Sequence, residues 1–307
     1  MFNLNVVKYR KFWLIFSSSI AALALTALIM WGLNFGIDFT GGSLMEVKFN
    51  GQQPNVSQVT ENLTDLNLNS LSVQPTADNS IILRFKEDSL DVHEQVKAHL
   101  NTLAIELNGE NQVSGDVIEE LRFDSVGPSI GKDLKNKSFN TISLAILMIV
   151  IYIAIVFKKV SKPVASWKYG ITAILALAHD ILIVLGVFAV LGKFFNVEVN
   201  ATFIAAILTV LGYSVNDTII TFDRTRENLP KSSDNFKNTV NKSVNQTLTR
   251  TINTTFTTLL SLIAIIIFGG SSIRDFVLAL AIGIFIGTYS SIFVASPLIM
   301  LFDRKKK

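Results

Sequence analysis

Apolar residues along the chain gather into six long windows, at roughly 12–33, 139–157, 169–191, 199–222, 252–269 and 276–302. Each approaches the ~20 residues that a helix needs to cross the hydrocarbon core of a bilayer, so the pattern predicts an α-helical membrane protein with six transmembrane helices. Between the first two windows the periodicity shortens. SLMEVKF (43–49), SLSVQP (70–75), SIILRF (80–85) and DVIEELRFDSV (116–126) read as strands, the middle two joined by a polar turn around Asp78 and Asn79. NVSQVTENLTDLNL (55–68), with Val56, Val59, Leu63 and Leu66, and LDVHEQVKAHLNTLAIEL (90–107), with Leu90, Val96, Leu100 and Leu103, read as helices. The order β-α-β-β-α-β predicts an inserted α+β unit of ferredoxin-like type. The domains expected are therefore 1–33 (N-terminus and first span), 34–138 (inserted domain) and 139–307 (five further spans, with a cytoplasmic loop at 223–250).

Composition supports the membrane class: half of the 307 residues are apolar, 22 of them phenylalanine, and there is no cysteine. No disulfide or thiolate metal site can form, and His93, His99 and His179 lack the spacing of a zinc motif, so neither a metal nor a cofactor is expected. The first window follows Lys8, Arg10 and Lys11 but exceeds the h-region of about 7–15 residues that marks a signal peptide, which predicts a retained anchor.

Charge sets the expected orientation. Basic residues cluster at the N-terminus, at Lys158, Lys159, Lys162 and Lys168, within 223–250, and at 304–307, alternating correctly across six spans. The positive-inside bias then places both termini in the cytoplasm and residues 34–138 outside. That segment holds eight Lys and Arg against sixteen Asp and Glu, so the overall net charge of +3 conceals two faces of opposite sign. Because the basic residues flank spans, a nucleic-acid surface is excluded.

Polar residues inside the windows carry the candidate chemistry. Asp217 lies six residues from Asp223, where the fourth span meets the cytoplasm, which at 1.5 Å per residue is roughly 9 Å deep. An ionisable group there costs about 2.5–3.5 kcal/mol on insertion scales. Tyr213, Asp217, Thr221 and Arg224 share one helix face. In the fifth span Arg250, Asn253, Thr254, Thr257, Thr258 and Ser261 form a second stripe, and pairing Asp217 with Arg250 requires no change of depth. The third span adds His179 and Asp180.

Blander readings stand beside each of these. Arg250 can snorkel to the interface, His179 with Asp180 can be a satisfied structural pair, and the threonines can be helix-packing glue. Gly283, Gly287, Ser290 and Ser291 read as a small-residue packing face. In residues 234–248, Phe236, Val240, Val244 and Leu248 recur every four positions, which suggests an amphipathic helix on the inner leaflet or a helix packed on the protein's own spans.

GIDFTGG (36–42), VGPSIGKDL (126–134), AHD (178–180), GYSVNDTIITFDRTREN (212–228), NQTLTRTINTTFTTL (245–259) and IGTYSSIFVASP (286–297) together resemble the SecF family of bacterial protein-export subunits, relatives of the resistance-nodulation-division transporters. The resemblance covers essentially the whole chain. It implies a six-span half completed by a SecD-like subunit in the cytoplasmic membrane. It further implies that Asp217 and Arg250 serve proton (or sodium) movement, and that the Sec channel, an unfolded exported polypeptide and the lipid bilayer are partners. His179, Asp180, Asn216, Tyr213, Asn253 and Thr254 are candidates for an accompanying polar relay. No catalytic constellation and no Walker loop appears, so an enzyme is not expected. A self-contained exporter of a small molecule or lipid, and a non-conducting assembly scaffold, stay open as alternatives.

Overall fold

The structure, a computed structural model, describes residues 4–76, 79–109, 116–156, 164–269 and 271–302. Asp78, Lys158, Lys159, Lys162 and the basic residues 304–307 lie outside them. The chain divides into two units, Phe35–Lys137 and Met1–Asn34 with Ser138–Lys307.

In the first unit a short helix, α2 (Ile37–Thr40), leads through Gly41 and Gly42 into β1 (Gly42–Phe49). Both glycines have positive φ, and a Cβ on Gly42 would lie 2.5 Å from the Phe85 carbonyl oxygen, so the paired glycines of GIDFTGG are a backbone requirement. There follow α3 (Val56–Asn62), β2 (Ser72–Pro75), β3 (Ser80–Phe85), α4 (Leu90–Asn108) and β4 (Ile118–Val126). The four strands form one antiparallel sheet in the order β2-β3-β1-β4, with Met45 opposite Leu83 and Val47 opposite Ile81. Strand alternation turns Met45, Val47, Phe49, Ile81, Leu83 and Phe85 into a core with Val59, Leu63, Val96, Leu100 and Leu103. Asn55 and Gln58 form a capping box at the start of α3, and Ser89 caps α4. Leu90 and Val56 do not join the apolar side expected of them; both are exposed. Leu90 is six residues from Val96, which at about 100° per residue puts it about 120° off the buried stripe.

The second unit contains α1 (Arg10–Trp31), most of α5 (Pro128–Val156), α6 (Ser166–Phe195), α7 (Ala201–Asn228), α8 (Phe236–Phe268) and α9 (Ser271–Ser290). A π-helical turn, Ser291–Ala295, then α10 (Ser296–Ile299) and a final turn continue α9 to Phe302. Among the described residues six stretches are long and apolar enough to cross a membrane. Their interior is built where α6, α7 and α9 meet, whereas α1 and α5 leave most of their surface uncovered.

The cytoplasmic loop expected at 223–250 is helical over most of its length. α7 continues to Asn228 and α8 begins at Phe236, capped by the Asn235 side chain. Phe236, Val240, Val244 and Leu248 are all buried within the unit, so the version of this segment lying on a lipid leaflet is overturned. Its stripe is filled by the protein's own helices. Asn228 bonds Ser243 at 2.8 Å and Arg224 bonds Gln246 at 2.7 Å, joining the ends of α7 and α8.

Candidate functional site

The buried face of α7 runs Phe203, Ile207, Val210, Ser214, Asp217, Thr221 and Thr225, at the three- and four-residue steps of a helix stripe. Its lower part is polar, and Asp217 is only 4% exposed. The hydroxyl of Thr288 on α9 donates to Asp217 Oδ2 at 3.3 Å. Thr288 Oγ1 lies 2.7 Å from Thr255 Oγ1 on α8, and Thr255 Oγ1 lies 3.2 Å from the Tyr213 hydroxyl on α7. Three helices thus share one run of hydrogen bonds ending on a carboxylate.

The expected ion pair between Asp217 and Arg250 is not closed. No ion pair joins them among the described residues, although the Arg250 charge acts on Asp217 through space. The reason is rotational. α8 meets its neighbours with Thr247, Thr251 and Thr255, four residues apart, and Arg250 precedes Thr251 by one residue, about 100° around the helix. Arg250, Asn253, Thr254, Thr257 and Ser261 are exposed on this chain, and Thr254, Thr257 and Ser261 donate to carbonyls of their own helix. The predicted polar stripe of α8 therefore faces away from Asp217's bonded partners. Asn216 is likewise exposed, one residue round from Asp217.

His179 and Asp180 belong to a second cluster. Asp180 is 1% exposed, and its Oδ1 lies 3.0 Å from His179 Nδ1. Its Oδ2 accepts from Ser214 of α7 at 2.5 Å and from Ser290 of α9 at 2.7 Å. His179 Nε2 is buried with no hydrogen-bond partner among the described residues. Gly283 and Gly287 permit this assembly: a Cβ on Gly287 would come within 2.8 Å of Ser214 Cβ, and one on Gly283 within 2.3 Å of Val210 Cγ2. The small-residue face is thus a packing face.

Four of the residues that do the bonding, Ser214, Thr255, Thr288 and Ser290, were not among the candidate site residues. Ser214 could have been found three positions before Asp217 on the same face, and Thr255 by extending the Thr247, Thr251 repeat by one turn.

Six membrane-length helices with carboxylates held between them, attached to a small antiparallel sheet, define a multi-pass membrane protein built around buried ionisable groups. Residues 108–305 match the family described as protein export membrane protein SecD/SecF, C-terminal, and residues 32–53 match the SecD/SecF GG motif. This chain belongs to the SecD/SecF family and is a multi-pass protein of the inner membrane. It is 40% identical to the protein translocase subunit SecF of Thermobaculum terrenum, over 98% of this chain and 95% of that protein. It is 35% identical to the protein translocase subunit SecDF of Brucella abortus, covering 93% of this chain but 35% of that longer one. The crystal structure of SecDF, a translocon-associated membrane protein from Thermus thermophilus, superposes with a TM-score of 0.81 at 30% identity, over 99% of this chain and 39% of that one.

Proposed function

We propose that this chain works with a SecD-like subunit to couple inward movement of protons, or sodium ions, to export of unfolded polypeptide through the Sec channel. Asp217 is the group that takes up and releases the ion, and Arg250 is the cation that competes for it. The observation that carries this reading is the open Asp217–Arg250 pair: a buried carboxylate held by a neutral hydroxyl, with the guanidinium exposed one helix away. A movement of α8 that closes the pair displaces the ion, and a movement that opens it readmits one. An elementary charge crossing the membrane releases roughly 2.3 kcal/mol per 100 mV, enough to bias such a two-state step without ATP.

The sheet unit is read as ferredoxin-like and extracytoplasmic, a lever moved by the spans; its strand order and its excess of acidic residues support this. Both termini are read as cytoplasmic. A partner is favoured over a self-contained exporter because the outward face of α8 is polar and because relatives exist in which SecD and SecF are one chain. The role is non-catalytic. Asp180 is read as a strut between spans, since donors from three residues already occupy its oxygens.

Export in inverted membrane vesicles supplied with the cognate SecD-like subunit, ATP and an imposed proton or sodium gradient tests this. The gradient-stimulated part of export is expected to vanish in Asp217→Asn and Arg250→Met at matched expression. Full stimulation in both variants returns these residues to a structural role.

A further inference from the structure

The run of hydroxyls that ends on Asp217 has a direction. Each of Tyr213, Thr255 and Thr288 carries a single hydroxyl hydrogen, and an ionised carboxylate can only accept. Thr288 therefore commits its hydrogen to Asp217 and must accept from Thr255, and Thr255 must in turn accept from Tyr213. One negative charge orients three hydroxyls on three helices. Thr254, Thr257 and Thr258 of the same α8 donate to their own backbone, whereas Thr255 is bonded across helices on both sides. Thr255 and Thr288 are buried, and Tyr213 is half-buried at the surface end of the run.

We propose that Tyr213, Thr255 and Thr288 form a hydroxyl relay that delivers the coupling proton to Asp217. The proposal rests on the reading of Asp217 as the ion-carrying group and narrows the ion to a proton, because a sodium ion cannot pass from hydroxyl to hydroxyl by bond exchange. A proton bonds to the Tyr213 oxygen as that oxygen's own hydrogen passes to Thr255. The Thr255 hydrogen passes to Thr288, and the Thr288 hydrogen to Asp217 Oδ2. One O–H bond forms and one breaks at each hydroxyl, so the net product is a neutral Asp217 and three intact hydroxyls whose donor direction is reversed. The reversed run then resets by rotation of the hydroxyls once Asp217 has released its proton.

The test is gradient-stimulated export, with proton uptake followed in parallel, in vesicles containing the full chain and its SecD-like subunit. Thr288→Val removes the hydroxyl at nearly constant volume, Thr288→Ser restores it, and Tyr213→Phe removes the far end. The expected result is that Thr288→Val and Tyr213→Phe fall to the level of Asp217→Asn in both readouts and that Thr288→Ser recovers most of the wild-type signal. Wild-type stimulation in Thr288→Val and Tyr213→Phe, with Asp217→Asn inactive, overturns the relay and leaves the Asp217 reading standing. A Ser variant as inactive as the Val variant also overturns it, since packing and not the hydroxyl is then at stake. Should Thr288→Val fail to accumulate, Thr255→Val breaks the run at the next hydroxyl. Full activity in Asp217→Asn removes both readings together.

Discussion

Thr288 and Ser290 stand two residues apart on α9, yet Thr288 donates to Asp217 and Ser290 to Asp180. One short stretch of one helix therefore holds both buried carboxylates, and the π-helical turn Ser291–Ala295 follows immediately. A slide of α9 along its axis, at 1.5 Å per residue, cannot disturb one carboxylate without disturbing the other.

Removing the Asp180 carboxylate takes the acceptor from Ser214, Ser290 and His179 at once. Two of these bonds, from Ser214 and Ser290, cross between spans, where they average about 0.6 kcal/mol each, so Asp180→Ala is expected to cost about 1 kcal/mol through them. Asp180→Asn keeps an acceptor oxygen and loses less. Thermal unfolding of the purified protein in detergent should show the order wild type, Asn, Ala.

Gly186 of α6 faces α1 so closely that a Cβ would lie 2.4 Å from Ala24 Cβ and 2.5 Å from Ala24 Cα. Backbone cannot yield as a flexible side chain does, and overpacking of this kind costs about 1–3 kcal/mol. Gly186→Ala should lower the melting temperature. Gly212→Ala in α7, where a Cβ meets nothing within 4 Å, should leave it unchanged or raise it slightly.

Leu248 and Val244 are each 1% exposed although the stripe they belong to has the spacing of a surface-lying helix. Leu248→Ala is expected to destabilise the fold by about 2–5 kcal/mol, the range for emptying a core site. A melting temperature unaltered by Leu248→Ala is the opposite result and would restore the leaflet contact.

In the sheet unit burial pushes the Glu87 carboxyl up, but hydrogen bonds from the backbone and side chain of Asn69 outweigh it and hold the group below the usual carboxylate range. A folded-state value below the unfolded one means that the stabilisation is present above the unfolded value and is lost as pH falls through the folded one. Wild type should exceed Glu87→Gln in melting temperature at neutral pH, and the two should converge in acid. A constant difference across that range sinks this assignment.

SIILRF, a short apolar run beside a polar turn, reads as a strand, and the strand Ser80–Phe85 covers those same residues, whereas the need for glycine at 41 and 42 emerges only from their positive φ. The long apolar windows located all six spans, because burial in lipid demands apolar length whatever the neighbours are. Their helical ends were shorter in the pattern than in the molecule, since α7 and α8 continue into polar sequence on hydrogen bonds and packing that hydropathy does not register. Asp217, His179 and Asp180 stood out as charges where charge is costly.

Which partner each of them has was a tertiary decision. α8 carries Thr247, Thr251 and Thr255 on one side and Asn253, Thr254 and Thr257 on another, and polarity alone does not say which side is inside. A threonine in a span can satisfy its hydroxyl on its own helix's carbonyl, as Thr254 and Thr257 do, so a polar stripe need not point at a polar neighbour. From the sequence alone came the spans, the strands and the costly charges. Only the packing of α7 and α9 against α8 chose Thr255 and Thr288 as the neighbours of Asp217, because helix rotation depends on which faces fit together and not on residue type along one helix.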